Sequence, residues 1–146
     1  MLQPTQTKNL VLYADDDPDD RELMHNGFAP YSDFIDVKTF TNGADLVSYI
    51  SRIPPLENLP CLIILDINMP LLNGLQTLKL IRQQKYFESV PIVLFTTSVS
   101  EADKQFIDKH NSKVIIKPVD SGQFNEIVQA FISHCRADLS EKGSCN

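Results

Sequence analysis

Read from its amino terminus, the chain alternates short unbroken apolar runs with longer stretches in which apolar positions recur every three or four residues. Leu10–Ala14 (LVLYA), Cys61–Leu65 (CLIIL), Pro91–Phe95 (PIVLF) and Val114–Ile116 (VII) contain no polar alternation. Such runs predict strands buried on both faces, as in a parallel sheet covered by helices. Phe34–Phe40 (FIDVKTF) does alternate, which predicts a strand with one more polar face, nearer a sheet edge. Helical spacing fills the intervals. A first helix starts with Asp17 as cap and Pro18 at the first position and runs to about Phe28, closed by Asn26-Gly27 or by Pro30. A second follows Thr41-Asn42-Gly43, with Ala44, Leu46, Val47 and Ile50 on its apolar side; a third follows Gly74, carries Leu75, Leu78, Ile81 and Arg82, and ends near Lys85. A fourth spans Glu101 to about Lys109. The last starts near Asp120 and has the cleanest period, with Phe124, Ile127, Val128, Phe131 and Ile132 on one stripe. Ser51 to Pro60 is rich in proline and predicts a loop.

Strand and helix alternating in this way predict an α/β fold: a (βα)5 unit with a five-stranded parallel sheet, right-handed crossovers and helices on both faces. At 146 residues the chain accommodates one domain with a substantial core. That domain is expected over residues 8–136, with 1–7 and 137–146 as flexible polar termini.

Composition narrows the partners. The formal charge of −6 argues against nonspecific binding to nucleic acid or to anionic membranes, and leaves proteins or small charged ligands. No apolar run approaches the length of a membrane-spanning helix, and MLQPTQTKNL lacks the regions of a signal peptide, so a cytoplasmic protein is expected. Cys61, Cys135 and Cys145 are odd in number and contain no CxxC, for which reduced thiols are the simplest account; His25, His110 and His134 show no metal-binding spacing.

The candidate chemistry sits where the apolar runs stop. In an open α/β sheet, ligands bind outside the carboxyl ends of the strands. The first run ends in Asp15 and Asp16, the third in Asp66, the fourth in Thr96 and the fifth in Lys117. Asp19 and Asp20 are explained by a helix dipole that favours acids in the first turn. Asp15 and Asp16 precede the cap and repel each other, and a hard divalent cation held by oxygen ligands would offset that repulsion. Clustered carboxylates, a lysine and a hydroxyl are the groups needed to bring an anionic phosphoryl group to an anionic nucleophile and to hold its oxygens. Asp66 is the candidate nucleophile, forming an acyl phosphate. Taken singly, Asp66 could start a turn, Lys117 could be a solvated strand terminus and Thr96 a strand residue or helix cap; their joint placement at successive strand ends is what makes the case.

The segments VLYADDDPDD, LIILDINMPLLNG, PIVLFTTS and VIIKPVD resemble the receiver domain of bacterial two-component response regulators, a likeness that covers residues 8 to 135. The resemblance implies a flavodoxin-like sheet of order 2-1-3-4-5. It implies Asp66 as phosphoacceptor, Asp15 and Asp16 as the acidic pair that binds Mg2+ together with Asp66, and Asn68 as donor of a backbone carbonyl to that metal. Thr96 would be the switch hydroxyl and Lys117 the phosphoryl contact, with the Lys117-Pro118 bond cis. Phosphoryl groups would come from a histidine kinase or a histidine phosphotransfer protein, and the output would be protein contacts, a phosphorelay or a phosphorylation-dependent dimer. The resemblance implies a single-domain signalling phosphoacceptor, limited to self-phosphorylation and autodephosphorylation, rather than an enzyme. Two positions depart from the family: Val114 stands where an aromatic residue usually precedes the lysine, and Thr97 where a small residue usually follows the threonine. Two other readings compete. One is a receiver-like scaffold that is never phosphorylated. The other is an Asp-nucleophile phosphohydrolase, which would need an acid two residues after its nucleophile, where this chain has Asn68.

Overall fold

The computed structural model describes residues 8–53 and 59–144, with side chains as far as Cys135. Five parallel strands, β1 (Asn9–Ala14), β2 (Ile35–Phe40), β3 (Leu62–Leu65), β4 (Ile92–Thr96) and β5 (Lys113–Ile116), form one sheet in the order β2-β1-β3-β4-β5. They alternate with α1 (Pro18–Phe28), α2 (Gly43–Ile50), α3 (Gly74–Arg82), α4 (Glu101–Lys109) and α5 (Phe124–Ser144). The chain thus adopts the (βα)5 unit expected from the pattern, with the flavodoxin-like strand order that the resemblance implies. Helix starts follow local chemistry. Asp17, Asn42, Asn73 and Ser100 each cap a helix by accepting a backbone N–H, and Asn73 and Gln76 form a reciprocal capping box.

The sheet separates two cores. One lies under α1 and α5 and contains Tyr13, Met24, Phe28, Ile64, Phe95, Phe124 and Phe131 among its buried residues. The other lies under α2, α3 and α4 and is almost wholly aliphatic, with Leu12, Leu46, Ile63, Leu65, Leu78, Ile81 and Leu94. Alternate residues of a strand face opposite sides, so Leu12 and Tyr13, or Leu94 and Phe95, serve different cores.

Several details differ from the expectation. Val114–Ile116 reads as a doubly buried run, but β5 is an edge strand, and Ile116 is 48% exposed. The third helix stops at Arg82 rather than near Lys85. The Arg82 guanidinium leaves the helix to donate to the carbonyls of Phe87 and Val90 (both 2.7 Å), His110 (2.8 Å) and Asn111 (3.0 Å) and to Ser112 Oγ. It thereby ties together the loops that enter β4 and β5, at the end of the sheet away from the acids. The last helix runs past Arg136 to Ser144, through residues without a proline and mostly of adequate helix propensity. Residues 1–7 and 145–146, and residues 54–58 of the proline-rich loop, lie outside the described residues. Cys61 and Cys135, expected as free thiols, form a disulfide between the start of β3 and α5. Their separation of 74 residues gave no hint of pairing, and only the packing of α5 across the sheet brings them to a Cα–Cα distance of 5.1 Å.

Candidate functional site

Asp15 follows Tyr13 at the end of β1, and Asp66 follows Ile64 at the end of β3, so both continue the strand parity that faces α1 and α5. Pairing of the two strands extends to the acids: the Asp66 N–H donates to the Ala14 carbonyl and the Asp15 N–H to the Phe40 carbonyl, each at 3.0 Å. The result is a cluster in which one carboxylate oxygen each from Asp15, Asp16 and Asp66 lies within 4.8 Å of the others. Asp15 and Asp66 are buried and Asp16 is exposed, leaving the cluster open to solvent on one side.

The loop after Asp66 is held close. The Gly74 N–H donates to the Ile67 carbonyl at 2.8 Å, and a Cβ on Gly74 would lie 2.3 Å from the Asp66 carbonyl oxygen, so only glycine lets α3 start there. Between them Leu71, at φ 69°, occupies the left-handed region at the centre of a tight turn closed by the Leu72 N–H on the Pro70 carbonyl. Asn68 is exposed in this loop.

Lys117 arrives from the far side of the sheet, its N–H bonded to the Thr96 carbonyl at 2.7 Å. Its ammonium lies 2.8 Å from Asp15 Oδ2, 2.8 Å from Asp20 Oδ2 and 3.5 Å from Asp66 Oδ2. Burial works against that charge, but the hydrogen bonds to Asp15 and Asp20, with the charges of Asp15 and Asp66, outweigh it and raise the lysine's pKa. The Asp66 carboxyl is pushed up to about 6, by burial first and by the neighbouring Asp15 second, against the opposing pull of Lys117 and the Ile67 amide. The Lys117-Pro118 bond is trans, contrary to what the resemblance implies: strand pairing continues into Lys117, and trans is the lower-energy isomer for X-Pro bonds.

The Thr96 hydroxyl makes its hydrogen bond away from the charged groups. Thr96 is fully buried at the end of β4, on the opposite parity from Phe95, and its Oγ1 donates to the Ser98 carbonyl at 3.2 Å. Val114, its neighbour by parity on β5, packs against the aliphatic core.

Two residues of the site were missed in the sequence. Asp20, explained there by the helix dipole, is a full partner of Lys117. Tyr13, counted as one more apolar residue of β1, donates its phenol O–H to Asp15 Oδ2 at 2.5 Å. The available signal was parity: Tyr13 and Asp15 are two apart on one strand and share a face. Burial and the charge of Asp15 push the phenol's pKa far up, so it remains a donor.

All the clustered ligand atoms are carboxylate oxygens, which suits a hard divalent cation such as Mg2+. The model for the response regulator receiver domain matches residues 11–129. The chain belongs to that family. Receiver domains are the signalling phosphoacceptors of two-component systems; they take phosphoryl groups from histidine kinases or phosphotransfer proteins and bind Mg2+ at an acidic cluster, and this chain brings Asp15, Asp16 and Asp66 together in an acidic group. The chain is 29% identical over 135 residues to the response regulator Rre1 of Synechocystis sp., covering 92% of this chain and 55% of Rre1. It is 27% identical over 122 residues to an uncharacterized 14.6 kDa protein of Leptolyngbya boryana, covering 83% of this chain and 88% of that protein. It thus spans about half of Rre1 and most of the smaller relative. Among solved structures, the phosphorylated cyanobacterial phytochrome response regulator RcpA superposes with a TM-score of 0.76 at 23% identity, over 85% of this chain and 91% of that one. The chemotaxis response regulator CheY4 of Vibrio cholerae gives 0.69 at 23%, over 86% and 99%. At that identity both speak for the fold. No helix among the described residues is long and apolar enough to cross a membrane.

Proposed function

We propose that this chain is a cytoplasmic receiver whose Asp66 accepts a phosphoryl group from a histidine kinase or histidine phosphotransfer protein, and whose phosphorylated form signals through protein contacts or passes the group along a relay. The observation that carries this reading is the buried Asp66 carboxylate beside the Asp15–Lys117 ion pair at the carboxyl end of the central strands. In the reaction an Asp66 carboxylate oxygen attacks phosphorus; the new O–P bond forms as the P–N bond of a phosphohistidine breaks, and the imidazole leaves with its proton. Asp15, Asp16, Asp66 and the Asn68 carbonyl would hold Mg2+, which when bound supplies positive charge to the phosphoryl oxygens. Lys117 supplies a second fixed charge once it turns from Asp15 and Asp20 toward the incoming group. Thr96 lies one strand away, where rotation of its hydroxyl off the Ser98 carbonyl would report the phosphoryl group to the α4 face. Added phosphate brings roughly −1.5 to −2 charge, enough to bias such a switch or a dimer contact.

The test is intact-mass spectrometry after incubation with Mg2+ and a small acyl phosphate, with Asp66→Ala as control. The expected result is one added phosphate, labile to hydroxylamine, dependent on the cation and absent from Asp66→Ala. No adduct, together with no Mg2+ affinity, would favour the never-phosphorylated scaffold.

A further inference from the structure

A phenol is an unusual resident of this strand. LVLYA is otherwise apolar, and Tyr13 is fully buried between β2 and β3, paired in register with Thr39 and Ile64. A hydroxyl taken out of water without a partner is costly. Tyr13 has its partner in Asp15 Oδ2, at 2.5 Å.

Asp15 is held by three donors. Oδ2 takes the Tyr13 O–H and the Lys117 ammonium, and Oδ1 takes the Asp17 N–H at 3.0 Å. They differ in permanence. Lys117 is shared with Asp20 and Asp66, and in the function proposed above it moves to the phosphoryl group. Tyr13 is enclosed in the core and its phenol cannot follow, so it is the side-chain donor that stays when the lysine leaves.

We propose that Tyr13 is a positioning residue for the cation site, its O–H holding the Asp15 carboxylate in the orientation that keeps one oxygen within reach of Asp16 and Asp66, both before and after Lys117 departs. The inference rests on the reading of those acids as a divalent-cation site. It differs from the simpler view in which Asp15 merely satisfies a buried hydroxyl, since that view makes the hydroxyl irrelevant to the cation.

The test is Mg2+ titration by calorimetry of the wild-type chain and of Tyr13→Phe, which keeps the ring and removes only the hydroxyl. Loss of a hydrogen bond that orients a metal ligand typically weakens metal affinity by 10- to 100-fold, so about tenfold weaker binding is expected, with the fold of the cation-free chain kept as read by circular dichroism. Wild-type binding matched by Tyr13→Phe within about twofold would overturn the inference and leave the cation site standing. No binding by the wild type would instead remove the cation site, and the inference with it. Should Tyr13→Phe fail to fold, the 13Cζ resonance of Tyr13 in the wild type decides. A hydrogen-bonded shift retained on adding Mg2+ supports the role, and release of the phenol by the cation overturns it.

Discussion

The two faces of the sheet are built from different materials and do different work. Under α1 and α5 the core is richer in aromatic residues, with Phe28, Phe131, Phe95 and Phe124 in a chain of ring contacts, and it carries the Cys61–Cys135 bond. Tyr13, Asp15, Asp66 and Lys117 follow the strand parity of that face, so the charges of the site rest on it. Under α2, α3 and α4 the core is mainly aliphatic, and its contribution at the same end of the sheet is Thr96, with Val114 one register step back, opposite Leu94. Large rings that pack against each other hold the charged groups at fixed distances. The charged groups and Thr96 thus follow opposite faces of the sheet, joined through the Lys117 N–H on the Thr96 carbonyl.

That contrast can be broken in four ways, from the largest effect to the smallest. Phe131→Ala should cost about 3–5 kcal/mol of stability and disturb the geometry of the acids, whereas Leu78→Ala should cost about 2–5 kcal/mol and leave Mg2+ affinity close to wild type. Denaturant midpoints and cation titration check the pair. Equal loss of affinity in both variants would erase the distinction between the faces. Reduction of the Cys61–Cys135 bond, or Cys135→Ser, should lower stability by about 2–4 kcal/mol, read from denaturation with and without reductant.

The third concerns charge. Asp66 in the folded chain has a pKa of about 6 against an ordinary value of 3.8, so between those values the native state binds more protons than the unfolded state. Stability contributed by this group is therefore greatest on the acid side and declines as pH rises from about 4 to about 6. Carboxyl 13C titration should place Asp66 in that window, and Lys117→Met should move it higher still, because the lysine pulls it down. A downward move in Lys117→Met would contradict the arrangement. The smallest effect belongs to Thr96→Val, which removes the bond to the Ser98 carbonyl and should cost about 1 kcal/mol, with Asp66 phosphorylation kept and any change confined to the α4 face. Amide chemical shifts of α4 and β5 in the two proteins provide the check.

Much of this was legible in the chain. Unbroken apolar runs marked the strands and a 3.6-residue period the helices, because burial imposes both patterns directly. That the acids at the ends of β1 and β3 come together was legible, since parallel strands in one sheet deliver their carboxyl ends to one side. Asp20 was not, because a helix dipole explains it equally well, and Tyr13 was not, because a tyrosine in an apolar run reads as bulk until its hydroxyl is seen to have somewhere to go. The edge position of β5 was hidden for a related reason: VII has the composition of a central strand, and only strand order tells which of its faces is covered.

By itself, then, the order of residues along the chain determined the alternation of strand and helix, the capped helix starts and the set of groups delivered to one end of the sheet, all of which depend on contacts between near neighbours. The tertiary structure decided which of those groups touch. It put Lys117 between Asp15 and Asp20, stood Thr96 on the other face, joined Cys61 to Cys135 and turned the Tyr13 phenol onto Asp15. These are encounters between residues on different elements, or between a long side chain and its same-face neighbour, and their distances exist only once the sheet has assembled and its two cores have closed around it.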